Sequence, residues 1–404
     1  MSQPILTHSY YSDFFAAKGY DFLKQIADQF VIPDNLVIFS VMHCYEGSLP
    51  YINVLAEIAD KLVFIPKSAT ALCNQDITTT IEQLPRCHVV NKEGQQYGKE
   101  QLKDPAIAEH LIRAHLKADS QFLILDHGGY FAHAIEHIST TFQEQCLGIT
   151  ELTANGLYKY LNRQLDKPLV TVSHLSIKAP ADYEASECIV HYSDQILREE
   201  FGLKLNNDEF LKIGVIGAGN LGQGVIKYLK GKAISQILVA DTDPRRLTHF
   251  PRNGVQVSSI ERLINECNMI FCCTGNGALP SKLLDNLNDS LFISTVTSAD
   301  DELNLPQLIA DGTLTEVGGN RLIREYHTRR GQSLYLLAGG ESANTPFKTG
   351  MGDPTLYLFE AAHMLAGLQL ATEARPFKQG IQALNEEDEK RIAEQWLRHF
   401  YRYE

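Results

Sequence analysis

The residues with the clearest chemical meaning follow a short apolar run, Ile213–Ile216, and have the glycine spacing GxGxxG. The first glycine permits a tight turn, the second lets a pyrophosphate approach the backbone, and the third lets a helix pack closely on the strand. The N–H groups that begin such a helix also favour phosphate. The stretch therefore predicts a dinucleotide-binding turn, with cofactor contacts at Gly217, Gly219, Asn220, Leu221 and Gly222.

An acidic residue at the end of the next apolar run, Ile237–Ala240, helps to choose between two dinucleotides. Asp241 lies 19 residues after Gly222 and can accept hydrogen bonds from the adenosine ribose. Its charge would repel a 2′-phosphate, so the sequence favours NAD. Arg245 and Arg246 keep NADP as an alternative. A scaffold of this type that binds no nucleotide is the remaining interpretation.

A second group of polar residues follows apolar runs in the first half of the chain. The runs are Leu36–Val41, Leu62–Ile65, Phe122–Asp126 and Leu169–Ser173, and the polar residues at their ends are His43, Lys67, Asp126, His127 and His174. Because the carboxyl ends of parallel strands line the ligand crevice, we expect these side chains on one rim. Histidine titrates near neutral pH, which suits acid–base work. A purely structural role for a strand-end histidine is the alternative.

Lys178 and Asp182 are spaced one helical turn apart. A lysine that is desolvated beside a cationic nicotinamide loses proton affinity and becomes usable as a general base. Asp182 could orient this lysine or hold a second hydroxyl. The alternative is an exposed ion pair, which contributes less than about 1 kcal/mol to stability.

Apolar runs of strand length alternate with helical patterns on both sides of the glycine stretch, which predicts an α/β protein with two parallel-sheet domains. The second sheet continues through Met269–Cys273, Leu291–Thr295 and Leu334–Leu337. The predicted domains are a substrate-binding domain, a Rossmann NAD-binding domain and a C-terminal helical tail. Their ranges are 1–188 with a return segment 348–375, then 189–347, and finally 376–404.

Composition excludes several classes of function. The chain has 404 residues, a formal net charge of −13 and no long basic cluster, which argues against nucleic acid as a partner. We find no apolar run of membrane-spanning length and no secretion signal, so we expect a cytoplasmic protein. The eight cysteines form no CxxC pair and are expected to be reduced thiols. Cysteine and histidine show no zinc spacing, and no metal site is predicted.

Ordered landmarks over nearly the whole chain resemble S-adenosyl-L-homocysteine hydrolase. They are Met42-His43, Asn74-Gln75-Asp76, Leu125-Asp126-His127-Gly128-Gly129, the segment 148–156, the Lys178/Asp182 spacing, Gly352-Asp353-Pro354 and the final Tyr401-Arg402-Tyr403. No single landmark is specific, and their common order is what carries the resemblance.

The resemblance implies roles for individual residues. In that family, NAD oxidises a ribose hydroxyl, elimination and water addition follow, and the hydride then returns. It implies Lys178, Asp182, His43 and His127 as catalytic residues and Asp126 and Asp353 as substrate-binding residues. Further cofactor contacts would be Thr153, Asn155, Thr274, Gly275, Asn344 and Tyr401. The tail would contact the NAD of a neighbouring subunit, which implies a dimer or a tetramer.

The departures from the family pattern fall on the side of the substrate. His127 replaces the family's second loop aspartate, and Leu152 replaces its ribose-contacting glutamate. Thr297 and Asp353 replace two histidines, and Tyr45 and Gly47 replace two residues that frame adenine. The sequence therefore predicts an NAD-dependent oxidoreductase or hydrolase/lyase that oxidises a secondary alcohol on an altered nucleoside- or sugar-like substrate. The alternatives are genuine S-adenosyl-L-homocysteine hydrolysis and a regulatory role for a non-catalytic, NAD-binding subunit.

Overall fold

A computed structural model describes residues 10–67, 74–90, 97–206, 211–252, 254–287, 290–347, 354–372, 374, 376–401 and 403. Asp353, predicted to bind substrate, lies outside these described residues, as does Arg402 of the tail.

The described residues form strands and helices that alternate along most of the chain. The strands are β1 Leu36–Met42, β2 Lys61–Pro66, β3 Cys87–Val89, β4 Gln121–Asp126, β5 Cys146–Glu151, β6 Pro168–Thr171, β7 Ile213–Ile216, β8 Ile237–Ala240, β9 Gln256–Val257, β10 Met269–Cys272, β11 Ser290–Thr295, β12 Leu314–Gly319, β13 Ile323–Thr328, β14 Ser333–Leu337 and β15 Gly380–Ala383. The helices are α1 Tyr10–Ala27, α2 Leu49–Ile58, α3 Gln75–Glu82, α4 Pro105–Arg113, α5 Ile135–Thr141, α6 Ala154–Tyr160, α7 Ala179–Phe201, α8 Asn220–Gly231, α9 Ile260–Glu266, α10 Ala299–Leu303, α11 Leu305–Ala310, α12 Thr355–Ala371 and α13 Glu386–Tyr401.

The chain divides into two compact units, the first comprising residues 1–181 and 351–404 and the second residues 182–350. The sequence-based boundaries after residues 188 and 347 stay predictions. Helix α7 begins at the end of the first unit and continues into the second.

The first unit contains a seven-stranded sheet of parallel strands in the order β15-β6-β5-β4-β1-β2-β3. Every residue of β1 is buried because helices cover both faces of the sheet. Helix α12 is buried all round, between the sheet and helices α1 and α2. This explains its continuous apolar sequence, since a helix with an exposed side would show a polar stripe.

The segment after α12 adds to this same sheet. Strand β15 pairs with β6, with Gly380 opposite Pro168, and α13 packs on α1 and α12. The Trp396 indole N–H donates to the Pro354 carbonyl at 3.0 Å. Sequence patterning indicated only a return segment and a helical tail here, because a strand of four residues is too short to show a periodicity. Contact of the tail with a neighbouring subunit stays a prediction.

The second unit contains an eight-stranded sheet in the order β12-β13-β14-β11-β10-β7-β8-β9. The strands from β14 to β9 are parallel and have the order of a dinucleotide-binding fold, whereas β12 and β13 extend the sheet as antiparallel strands. The predicted fold class, two α/β domains of which the second is Rossmann-like, is confirmed. None of the helices in the described ranges is both long and apolar enough to cross a membrane.

Candidate active site

The carboxyl ends of the central strands of the first sheet lie side by side. Strands β1 and β2 pair as far as Met42 and Pro66, and β4 and β5 pair as far as Asp126 and Glu151. The residues that directly follow these strands therefore meet at one edge of the sheet. They include His43, Lys67 and His127, and Thr153 is the second residue after β5. His174, which follows β6, has an exposed side chain whose Nδ1 lies 3.0 Å from Ser173 Oγ.

His43 and His127 form an edge-to-face pair with their ring centroids 4.9 Å apart. His43 also stacks on Tyr45 at 5.5 Å, and His127 Nδ1 lies 3.4 Å from Met42 Sδ. Burial lowers the pKa of both imidazoles well below its usual value, and the charge of Lys67 lowers each further. Both rings are therefore neutral near pH 7. A neutral imidazole offers one donor and one acceptor nitrogen, which suits a hydroxyl ligand.

Asp126, predicted to bind substrate, is fully buried and holds the loop that carries His127. Its Oδ1 accepts hydrogen bonds from the backbone N–H groups of His127 at 2.8 Å and Tyr130 at 3.0 Å. Its Oδ2 accepts from the Phe131 N–H at 3.1 Å and the Tyr160 hydroxyl at 2.5 Å. These four protein donors engage the carboxylate, so the geometry supports a structural role for Asp126 in shaping the loop.

Glu151 is a buried carboxylate that sequence reasoning missed. Its Oε1 accepts from the Gly128 N–H at 3.1 Å and from both the N–H and the hydroxyl of Thr153, at 2.7 and 2.6 Å. Its Oε2 accepts from the Gly129 N–H at 3.0 Å. Glu151 thus ties the loop after β4 to the start of α6, where Thr153 caps the helix. The sequence feature that could have identified Glu151 is an acidic residue at the end of a buried parallel strand.

Cationic and amide side chains lie close to the turn at Gly128. The Lys159 ammonium donates to the Gly128 carbonyl at 2.7 Å. A Cβ atom placed on Gly128 would lie 3.5 Å from Lys67 Nζ and 4.0 Å from Asn155 Nδ2. Asn155, predicted to contact the cofactor, is therefore within reach of the same turn. The arrangement favours a ligand with hydroxyl or negatively charged oxygen atoms.

The Glu151 carboxyl should affect folding stability in a way that depends on pH. Burial, followed by the charge of Asp126, raises the pKa of Glu151 to about 7 from its ordinary 4.5. The folded state then holds this proton more tightly than the unfolded state does. Glu151 therefore contributes about 3 kcal/mol to the free energy of unfolding below pH 4.5, and this contribution is lost as the pH rises through 7.

We expect Glu151→Gln to lower the free energy of unfolding at pH 5 by about 1–3 kcal/mol, because the amide nitrogen cannot accept a hydrogen bond, whereas the hydroxyl oxygen of the protonated acid can. At pH 8 the loss should be smaller, since the wild type there bears the cost of a buried charge. Urea unfolding at both pH values measures the difference. Glu144→Gln, an exposed position just before β5, is the matched control and should change little. A larger loss at pH 8 than at pH 5 would contradict the raised pKa.

Helix α12 also carries a buried histidine, His363, to which sequence patterning assigned no role. His363 is fully buried, and its Nδ1 lies 3.0 Å from the Tyr51 hydroxyl. Burial lowers the pKa of His363 to about 4, and the residue contributes in turn to the lowered pKa of His127. The sequence feature that could have identified His363 is a histidine inside an otherwise apolar helical run.

Lys178 and Asp182, predicted as a catalytic pair, belong to different compact units. Lys178 ends a short 3₁₀ turn directly before α7 and is partly buried, and its charge contributes to the lowered pKa of His127. Asp182, at 9% exposure, accepts a hydrogen bond from Asn220 Nδ2 at 3.2 Å. The structure therefore brings Asp182 to the glycine turn, and it brings Lys178 within electrostatic range of His127.

The glycine turn of the second unit has the shape that a dinucleotide requires. Gly217 has a φ of +97°, and a Cβ atom there would lie 2.7 Å from the Cys273 carbonyl oxygen. A Cβ on Gly222 would collide with the Gly217 carbonyl oxygen. At Gly219 the nearest atom to such a Cβ is Arg246 Nη1 at 3.7 Å, so the backbone is open to a ligand. The residues present fit the pyrophosphate of NAD.

Asp241 lies beside this turn, as predicted. Its Oδ2 accepts from the Ala218 N–H at 2.6 Å and its Oδ1 from the Asp243 N–H at 2.8 Å. Arg246 Nη1 is 3.7 Å from Asp241 Oδ2. An ionised carboxylate has about four acceptor positions, so oxygen lone pairs remain for ribose hydroxyls.

A second buried glutamate, also missed in the sequence, fixes the loop after β10. Glu302 accepts from the Thr274 hydroxyl at 2.6 Å, the Thr274 N–H at 3.0 Å and the Gly275 N–H at 2.7 Å. The Thr297 hydroxyl donates to the same carboxylate at 3.3 Å. Burial raises the pKa of Glu302 and these donors oppose the rise. The predicted cofactor contacts Thr274 and Gly275 are therefore held in place by a residue of α10.

Asn344 and Tyr401 are two further predicted cofactor contacts. Asn344 Oδ1 accepts from the Ser342 hydroxyl at 2.6 Å in the loop that follows β14. Tyr401 ends α13 in the first unit and is 55% exposed, with its ring 4.9 Å from that of Trp396. Within the described residues, no group of three or more histidine, cysteine, aspartate and glutamate side chains could hold a metal ion.

The second unit matches the model of a known protein family. Residues 209–350 match the NAD-binding domain of S-adenosyl-L-homocysteine hydrolase. Among the relatives of this chain, the S-inosyl-L-homocysteine hydrolase of Methanopyrus kandleri is 23% identical over 287 residues, which cover 67% of this chain and 64% of the relative. The chain thus spans less than two thirds of that relative's length. The match over residues 209–350 confirms the prediction of NAD.

Solved structures that align with most of this chain include the dipicolinate synthases of two bacilli. The Bacillus halodurans protein has a TM-score of 0.39 at 9% identity, over 84% of this chain and 99% of that chain. The Bacillus subtilis protein has a TM-score of 0.40 at 8% identity, over 84% and 98%. These TM-scores are too low to support a conclusion about function.

Proposed function

We propose that this chain, which has an NAD-binding domain, is a divergent adenosylhomocysteinase-like protein that oxidises a secondary alcohol of a nucleoside- or sugar-like substrate. The observation that carries the proposal is the His43–His127 pair beside Lys67 at the carboxyl edge of the first sheet. Such an edge is where ligands bind in open α/β sheets.

NAD, when bound, supplies the hydride acceptor for such an oxidation. The protein must then take the hydroxyl proton and stabilise the charge that develops on oxygen. The two neutral imidazoles can hold hydroxyl groups by hydrogen bonds, and the ammonium of Lys67 can stabilise negative charge on a substrate oxygen. Asp126 and Glu151 keep the loop that carries His127 in place.

Lys178 is the proposed proton acceptor. This role is supported by its position before α7, by its electrostatic effect on His127 and by its counterpart in the resembling family. Asp182 is proposed to orient Asn220 at the start of α8.

The substrate is proposed to differ from S-adenosyl-L-homocysteine. At the position of the family's ribose-contacting glutamate, Leu152 is 1% exposed and packs in the hydrophobic core. At the position of an adenine-framing threonine, Tyr45 stacks on His43. Leu152 cannot make the hydrogen bonds that a glutamate would supply, and the larger Tyr45 changes the shape of the position that a threonine would occupy.

Hydrolysis of a nucleoside thioether is the second candidate, and the similarity to S-inosyl-L-homocysteine hydrolase favours it. Such a reaction would return the hydride to the substrate, so reduced cofactor would appear only transiently. An alcohol dehydrogenation would leave it reduced. The two candidates therefore differ in a quantity that absorbance can follow.

The test begins with the purified chain and the nicotinamide that it carries. We expect denaturation to release NAD or NADH, and we expect one member of a panel of nucleosides, sugars and nucleoside thioethers to produce absorbance of the reduced cofactor. Lasting reduction supports the oxidation, and transient reduction with thioether cleavage supports the hydrolysis. A chain that binds NAD but reduces none with any of these compounds would contradict both candidates and support a non-catalytic role.

A further inference from the structure

A cavity in the first unit lies at the opposite edge of the sheet from the candidate active site. It has a volume of about 430 Å³, and its charged and imidazole-bearing lining residues are Asp60, Lys61, Arg86, His88, His115 and Lys117. Asp60 and Lys61 stand at the start of β2, Arg86 precedes β3, and His115 and Lys117 precede β4. These are the amino ends of the strands, whereas His43 and His127 follow their carboxyl ends. We call this cavity the basic cleft.

The charge of the basic cleft is opposite to that of the whole chain. The chain has a formal net charge of −13, yet the cleft has three basic side chains, Lys61, Arg86 and Lys117, against one carboxylate, Asp60. The Lys117 ammonium lies 3.1 Å from Asp60, an ion pair that is largely exposed. This pairing leaves the cleft with two excess positive charges.

Imidazole groups add hydrogen-bonding capacity between these cations. The rings of His88 and His115 lie 4.7 Å apart, and His115 Nδ1 is a buried atom without a hydrogen-bond partner among the described residues. The Ser120 hydroxyl also lines the cleft and accepts from the Lys117 N–H at 3.0 Å. A buried polar atom without a partner is uncommon in folded proteins and calls for an explanation such as a ligand or water.

We propose that the basic cleft binds a small anion that carries two or more phosphate groups. The cationic residues come from the ends of β2, β3 and β4, and neighbouring strands lie about 4.8 Å apart. Strand β1 lies between β4 and β2, so the cations span the ends of four adjacent strands, and a diphosphate offers them oxygen atoms over a longer distance than a single phosphate does. Lysine and arginine both bind phosphate, arginine with two parallel hydrogen bonds. A cavity of this volume falls in the usual range for small-molecule sites.

Crowding of positive charge supports this assignment. Burial, followed by the charge of Lys117, lowers the pKa of Lys61. Burial, followed by Lys61 and then His88, lowers the pKa of His115 to about 4. Lys61 and Lys117 repel each other in the absence of an anion, and a bound polyphosphate would relieve that repulsion.

The test uses the full chain saturated with NAD, so that the glycine turn cannot take up the probe. We expect calorimetric titration with inorganic pyrophosphate at low ionic strength to show one saturable site per chain. Lys61→Gln and Lys117→Gln should each weaken binding about tenfold or more, since each removes a charge-assisted hydrogen bond. Lys103→Gln, a lysine of the first unit outside the cleft, is the matched control. All three variants should keep their NAD affinity and their circular dichroism spectrum.

A parallel titration with a nucleoside diphosphate distinguishes the source of the phosphate. If the nucleoside diphosphate binds more tightly than pyrophosphate, and if Lys61→Gln and Lys117→Gln both lose this binding, the ligand is a nucleotide. Equal affinities would support a free polyphosphate. Absence of saturable pyrophosphate binding, or equal weakening by Lys103→Gln, would overturn the proposal.

Discussion

We expect Lys178→Ala to lower the rate of cofactor reduction by about a hundred- to ten-thousand-fold, which is the usual contribution of a positioned general base. The variant should keep its bound NAD, because the glycine turn and Asp241 lie in the other compact unit. Stopped-flow absorbance with the substrate found in the screen measures the rate. An unchanged rate would contradict the proposed role of Lys178.

Two further variants separate the loss of a base from the loss of a charge. Lys178→Arg keeps the positive charge but cannot release its proton near neutral pH, so we expect it to be as slow as the alanine variant. Added ethylamine should restore part of the rate to Lys178→Ala and none to Lys178→Arg. Lys103→Ala, in the same unit but paired with Glu100 on the surface, should keep the wild-type rate. Full activity of Lys178→Arg would show that only the charge matters.

We expect Gly222→Ala to lower the affinity for NAD about 10- to 100-fold. A Cβ atom at this position would collide with the Gly217 carbonyl oxygen, which is backbone and cannot rotate away. Overpacking of this kind costs about 1–3 kcal/mol, and every 1.4 kcal/mol corresponds to tenfold in affinity. The start of α8 must move away from β7, and the N–H groups that face the pyrophosphate move with it. Quenching of protein fluorescence by added NAD, after removal of bound cofactor, measures the affinity.

Gly231→Ala is the matched control, because the same helix supplies a glycine with different surroundings. No atom lies within 4 Å of a Cβ added at Gly231. Alanine favours the helix over glycine by up to about 1 kcal/mol, so this variant should be as stable as the wild type or slightly more so. Its NAD affinity should not change. Equal loss of affinity in both variants would mean that close packing at Gly222 is not what NAD binding requires.

The cofactor site was predictable because its signals are local in sequence. Gly217, Gly219 and Gly222 act through the shape of one turn, and the ends of β7 and β8 fix where Asp241 lies. Strand ends also predicted that His43 and His127 would meet, since parallel strands in register bring their carboxyl ends to one edge. Such patterns depend on backbone geometry that a few neighbouring residues determine.

The buried carboxylates were not predictable in the same way. Glu151 binds N–H groups of Gly128 and Gly129, and Glu302 binds those of Thr274 and Gly275, across separations of more than 20 residues. An acid that satisfies buried backbone donors has the same sequence signature as an acid in contact with water. Only the folded chain shows which donors it meets.

The sequence alone indicated an alternation of strands and helices, the glycine turn and the choice of NAD, because each depends on residues close together in the chain. Tertiary structure decided that Asp126 holds a loop, that β15 joins the first sheet and that cations gather in the basic cleft. These outcomes depend on which distant segments pack together. Burial then sets the charge state of each group, and burial is a property of the whole fold.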